Sequence, residues 1–179
     1  MADEPLEGNF VQENIITTKI TFINIDEDIS NPNEYRDAFH KLRTASDNDV
    51  IRLIINSHGG ILDTAIQFYD CLKNTKAKTE AEIHVAYSAG AMIALSCDDI
   101  IVNEFSSMMI HCLSWVSSGK VPEIIAKSDF IEDWNKIIKN RVYKGFLTDI
   151  EIEKINEGID LWFLAPEIEK RLKKRVKIR

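Results

Sequence analysis

Val50-Ile51-Arg52-Leu53-Ile54-Ile55-Asn56 is almost unbroken apolar chain, and it ends within four residues at Gly59-Gly60. A strand buried on both faces reads this way, because neither face alternates toward water. The residues that follow change period: Ile61, Ala65, Tyr69 and Leu72 share one face of a helix. The same succession returns at Ala81 to Tyr87, an apolar strand, followed by a helix of small residues from Ala89 to Cys97. Strand, tight turn and helix in repetition predict an α/β fold with a largely parallel sheet. Ligands of such folds sit where strands end and helices begin.

The remaining segments fill in around these two units. Ile15 to Ile25 alternates and reads as a strand with Ile16, Thr18, Ile20 and Phe22 on one face. Ser30-Asn31-Pro32-Asn33-Glu34 reads as a capped helix start, with Tyr35, Phe39 and Leu42 on its inner face. Ile100 to Val102 and Met108 to Ile110 read as two short strands. A long helix is expected over 122–144, with Phe130, Trp134 and Ile138 on a shared face and Gly145 ending it. Thr148 then caps a short helix to Asn156. No repeat, linker or low-complexity tract divides the chain, so residues 1–179 are expected to form one domain, with 1–14 polar and mobile.

Composition excludes several classes. A net charge of −7 argues against nucleic acid as the main partner. No apolar run approaches the roughly 20 residues that span a bilayer, and the acidic Met-Ala-Asp-Glu start resembles no signal or transit peptide. Cys71, Cys97 and Cys112 lack metal-site spacing, which predicts free thiols in a reducing cytoplasm. Glu80, Glu82, Asp149, Glu151 and Glu153 read as solvated, as does the basic run Lys170 to Arg175, whose other reading is a docking patch.

Three separated residues could form a nucleophilic site. Ser88 stands between a strand and a helix, where a sharp turn presents a hydroxyl outward. The match to a nucleophile elbow is half complete, since Ala86 occupies a glycine position, and a serine there is also a common N-cap. His111 ends an apolar strand and could serve as base. Asp160 lies among Ile159, Leu161, Trp162 and Phe163, where a buried carboxylate needs a donor such as an imidazole N–H. The Gly60 and Ala89 N–H groups are candidates for an oxyanion hole. His58 is a turn residue that could meet substrate. No metal site is expected.

Together these segments resemble the Clp protease proteolytic subunit family, ClpP. Asn56-Ser57-His58-Gly59-Gly60 is similar to its Asn-Ser-Pro-Gly-Gly loop, and Tyr69-Asp70 to its helical Tyr-Asp. Ser88-Ala89-Gly90-Ala91 matches Ser-Met-Gly-Ala, and Met109-Ile110-His111 matches Met-Ile-His. Asp160, followed by Ala165-Pro166-Glu167, falls on the family's aspartate. The resemblance runs from about Ile20 to Glu167. His58 in place of proline, Ile159 in place of arginine, and a Cys112 to Gly119 segment without paired glycines depart from the pattern. Such a mixture suits a divergent, phage-encoded relative.

The resemblance implies a crotonase-like superhelix of repeated β-β-α units with a protruding helical handle, here the 122–144 helix. It implies a serine endopeptidase with catalytic Ser88, His111 and Asp160 and an oxyanion hole at Gly60 and Ala89. It implies no cofactor, ATP being used by a partner AAA+ unfoldase. It also implies a homo-oligomer of two stacked heptameric rings acting on unfolded polypeptide in the cytoplasm, with Phe130, Trp134 and Ile138 at the ring–ring contact. A crotonase-type acyl-CoA enzyme and a catalytically inactive Clp ring subunit are the alternatives.

Overall fold

The computed structural model describes residues 17–175. The expected mobility of residues 1–14 lies outside these, as does the start of the first expected strand. Five strands form one sheet in chain order: β1 (Ile20–Ile25), β2 (Val50–Ser57), β3 (Lys78–Tyr87), β4 (Asp99–Ile110) and β5 (Leu161–Leu164). The first four are parallel, and β5 runs antiparallel to β4. Parallel neighbours need crossovers, and helices supply them. They are α1 (Arg36–Thr44, preceded by a 3₁₀ turn over Pro32–Tyr35), α2 (Leu62–Asn74) and α3 (Ala89–Ser96). The apolar spacing thus becomes repeated strand–helix units, the α/β class expected.

The alternation in β1 is real, but its inner face is the opposite one. Ile23 and Ile25 are buried, whereas Ile20 and Phe22 point outward, with the Arg52 guanidinium 5.9 Å from the Phe22 ring centroid. A two-residue period defines two faces without saying which meets the core. In α2 the buried stripe is Ala65, Phe68 and Leu72 rather than one centred on Ile61 and Tyr69. Phe68 meets Phe39 of α1 edge-on, with ring centroids 4.8 Å apart.

The two short strands expected after residue 100 are one strand. The register steps from Ile83↔Val102 to Val85↔Ser107, so residues 103–106 bulge from the sheet. Ser106 pins the bulge by donating through Oγ to Ile83 O at 2.5 Å and accepting from Asn103 N at 2.7 Å.

Beyond β4, α4 (Val121–Ile138) widens into a π-helical turn (Lys139–Tyr143), and Gly145 at φ 91° ends the run. Ile138 and Val142 enter the core, but Val121, Ile125, Phe130 and Ile137 remain exposed. Ile138 therefore cannot belong to an outward-facing contact with Phe130, as its spacing suggested.

α5 (Asp149–Asn156) opens on a capping box. Thr148 Oγ1 accepts from Glu151 N, and the Glu151 carboxylate accepts from Thr148 N. That carboxylate is also paired, not solvated: Arg171 of α6 (Ala165–Leu172) donates to its two oxygens at 2.8 and 2.6 Å. The same guanidinium lies 4.4 Å from the Phe163 ring centroid. Part of the basic C-terminal run is thus structural, and Arg175 likewise donates to Leu95 O at 2.6 Å. Glu80 is paired too, with Arg52 and Lys78. Among the described residues, no helix is long and apolar enough to cross a membrane.

Candidate active site

The sheet brings the candidate residues to one end. Tyr87 of β3 stands beside Met109 of β4, so the residues just beyond them, Ser88 and His111, leave neighbouring strands together. Ser88 N donates to Met109 O at 2.9 Å, which fixes the turn. The turn is sharp. Ser88 has φ 53° and ψ −117°, and among the described residues no other non-glycine has positive φ. Such a conformation is held against local preference by its surroundings, and it turns the side chain outward.

Ser88 holds the N-cap position of α3 but does not cap it through its side chain. Its side chain makes no capping bond to α3; instead Oγ lies 2.7 Å from His111 Nε2. That distance is a short hydrogen bond between a hydroxyl and an imidazole, the first link of a nucleophile–base pair.

The glycine turn before α2 fits beneath this serine. Gly59 has φ 110°, and a Cβ there would lie 2.7 Å from Ser88 Cβ. Gly60 has φ 142°, and a Cβ there would lie 2.2 Å from Ile29 O. Both positions require glycine for conformation and for space. Gly60 forms a parallel bridge with Ile29, in which Ile29 N donates to Gly59 O and Ile61 N donates to Ile29 O. That pattern uses the groups flanking Gly60 and leaves its own N–H directed away from Ile29. Ala89 begins α3, so its N–H has no intrahelical acceptor. Gly60, Ala89, Ser88 and His111 all line one cavity of about 120 Å³, with Met92 and Tyr143 among its other walls.

Asp160 is not joined to this pair in the single chain. It is exposed, and its carboxylate makes no hydrogen bond or ion pair among the described residues. The expectation that apolar neighbours would bury it was mistaken, because Trp162 and Leu164 are themselves exposed, on the outer face of β5. Its place in the sheet is nonetheless informative. Leu161 pairs with Ile110 in antiparallel register, so one further step puts Asp160 across from His111.

The strained serine turn and the histidine that faces it are the parts of the candidate site that the single chain brings together. A family model of the Clp protease matches residues 8–167.

The chain belongs to the Clp protease family.

The sheet, the glycine turn and the helical arm agree with the fold of that family. No curated protein matches the chain. His58, which replaces the family's loop proline, stands outside the cavity with its ring 5.4 Å from that of Tyr87. Cys112 points toward α4, where Sγ accepts from Asn135 Nδ2 at 3.2 Å, and is not a rival partner for His111. The three cysteines are free thiols. Among the described residues, no group of three or more His, Cys, Asp or Glu could hold a metal ion. Sequence reasoning missed Tyr143 and Met92 as cavity walls. Both lie in apolar helical patterns that signal burial, and such patterns do not tell a cavity wall from packed core.

Proposed function

We propose that this chain is a serine endopeptidase, the proteolytic subunit of a Clp-type ATP-dependent protease. The observation that carries the reading is the 2.7 Å contact between Ser88 Oγ and His111 Nε2 in a strained strand-to-helix turn. His111 Nε2 accepts the Ser88 proton as Oγ attacks the scissile carbonyl carbon. Charge develops on the carbonyl oxygen, and the N–H groups of Gly60 and Ala89 stabilise it. The imidazolium then protonates the leaving amine, and the C–N bond breaks to leave an acyl-serine. Water, deprotonated by His111, hydrolyses that ester and restores Ser88.

Asp160 completes the arrangement by accepting from His111 Nδ1, which fixes the tautomer that leaves Nε2 free to take a proton. The carboxylate reaches that position when the chain assembles, since β5 already runs beside β4 in the required register. Assembly also covers the apolar surface of Val121, Ile125, Phe130 and Ile137 on α4. The assembly is a homo-oligomer of two stacked heptameric rings in the cytoplasm. An AAA+ unfoldase feeds it unfolded polypeptide and consumes the ATP.

An inactive ring subunit is the second reading, and the unbonded Asp160 carboxylate is what favours it. Fluorophosphonate labelling followed by intact mass separates the two. The peptidase reading expects one adduct on the wild type and none on Ser88→Ala. Adducts of equal yield on both proteins would remove Ser88 from the chemistry, and a wild type that never labels would favour the inactive subunit.

A further inference from the structure

The cavity beside Ser88 contains a polar group that the steps above leave idle. Tyr143 ends the π-helical turn, is 5% exposed and lines this cavity. Its carbonyl is held by the residues after Gly145, with Phe146 N and Leu147 N donating to Tyr143 O at 3.0 and 2.9 Å. Its hydroxyl has no hydrogen-bond partner among the described residues. Phenylalanine would fill the same volume without a polar atom, so packing does not account for the oxygen. Burial alone pushes the phenol above its ordinary range, which keeps it an O–H donor at neutral pH. A phenol O–H on the wall of an open cavity can donate to a group that enters it.

The cavity limits what that group is. A cavity of about 120 Å³ has room for a single side chain rather than a larger ligand. Leu62, Met92 and Leu113 give apolar walls. No lysine or arginine lines it, so an anionic side chain would be buried without a counter-charge. The Gly60 and Ala89 N–H groups sit at the same cavity. A carbonyl seated on them brings its own residue's side chain with it, since Cα is bonded to the carbonyl carbon.

We propose that Tyr143 is a specificity-determining residue whose hydroxyl donates to a neutral acceptor on the side chain next to the attacked carbonyl. Asparagine is the smallest side chain that offers a neutral carbonyl acceptor. Leucine has the same branching without the acceptor, and aspartate has the acceptor with a charge. This inference rests on the peptidase reading.

The test is kcat/KM of the full assembled chain on three peptides that differ only in that residue, asparagine, leucine or aspartate, with wild type and Tyr143→Phe. We expect the wild type to prefer asparagine over leucine by roughly tenfold, the worth of one hydrogen bond, and to cleave the aspartate peptide worst. The Tyr143→Phe variant should bring the asparagine-to-leucine ratio to one or below. A wild type that prefers leucine, or a ratio equal in both proteins, overturns the inference while Ser88-dependent cleavage leaves the peptidase reading standing. Cleavage that survives Ser88→Ala, or no cleavage of any peptide by the wild type, takes down both.

Discussion

Gly59 lies directly beneath Ser88: a Cβ on the glycine would sit 2.7 Å from the serine's own Cβ. The positive φ at Ser88 and the glycine turn are therefore one device. The turn leaves room for a side chain that the backbone forces outward, and a change in either segment disturbs the other.

Gly59→Ala tests that coupling. The new methyl group meets both a left-handed backbone, φ 110°, and the Ser88 side chain. We expect a loss of about 1–3 kcal/mol in chemical denaturation, the usual size of such strain, and a fall in fluorophosphonate labelling rate under folding conditions. Labelling at the wild-type rate would show that the serine does not depend on this contact.

Asp160→Asn asks whether the carboxylate reaches His111 in the working particle. The amide keeps the shape and removes the charge that holds the imidazole tautomer. Peptide cleavage should fall by roughly 10⁴-fold, as expected when that orienting group is lost in a serine–histidine–aspartate site. Cleavage within a few-fold of wild type would mean that Ser88 and His111 act as a pair.

The exposed arm gives a third prediction. Phe130, 61% exposed with its ring centroid 5.4 Å from that of Trp134, is the clean probe of the ring contact. In sedimentation velocity, Phe130→Glu should shift the particle to smaller species while circular dichroism stays native. Ile138→Glu should instead unfold the chain, because that side chain is buried. A Phe130→Glu protein sedimenting like the wild type would move the contact elsewhere.

Arg171 gives a prediction in pH. Its hydrogen bonds hold the Glu151 carboxyl down to about 2 from an ordinary 4.5, with help from Thr148. A depressed carboxyl contributes stability that is full above the unfolded value. That contribution is lost as pH falls from 4.5 toward 2. Arg171→Met should lower stability at pH 7 by about 2 kcal/mol, in the range for removing hydrogen bonds to a charged group. It should also flatten the acid limb of a plot of melting temperature against pH between those values. An acid limb unchanged in shape would assign it to other carboxylates.

The elements were legible in the residues because each carries its own period. The run Val50 to Asn56, the small-residue helix after Ser88 and the Thr148 cap are local patterns, and they stand within a few residues of where they were expected. The site was legible in part. Ser88, His111, Gly60 and Ala89 could be named because strand ends and glycine turns mark them. Whether Ser88 capped a helix or faced a base was open, since both answers suit the same neighbours. The single β4, the inner face of β1 and the Glu151–Arg171 pair were not legible, because each depends on a partner distant in the chain.

What the amino-acid order determined by itself was the succession of strands and helices, the glycines at the turn and the residues able to do acyl-transfer chemistry. Tertiary structure alone decided that Ser88 and His111 meet, that Asp160 stays in solvent within one chain, and that Tyr143 lines the cavity beside the reacting pair. Periodicity records which side chains share a face of one element, whereas sheet register and helix packing decide which faces meet. Those are set by the summed burial of the whole core, a quantity no single segment carries.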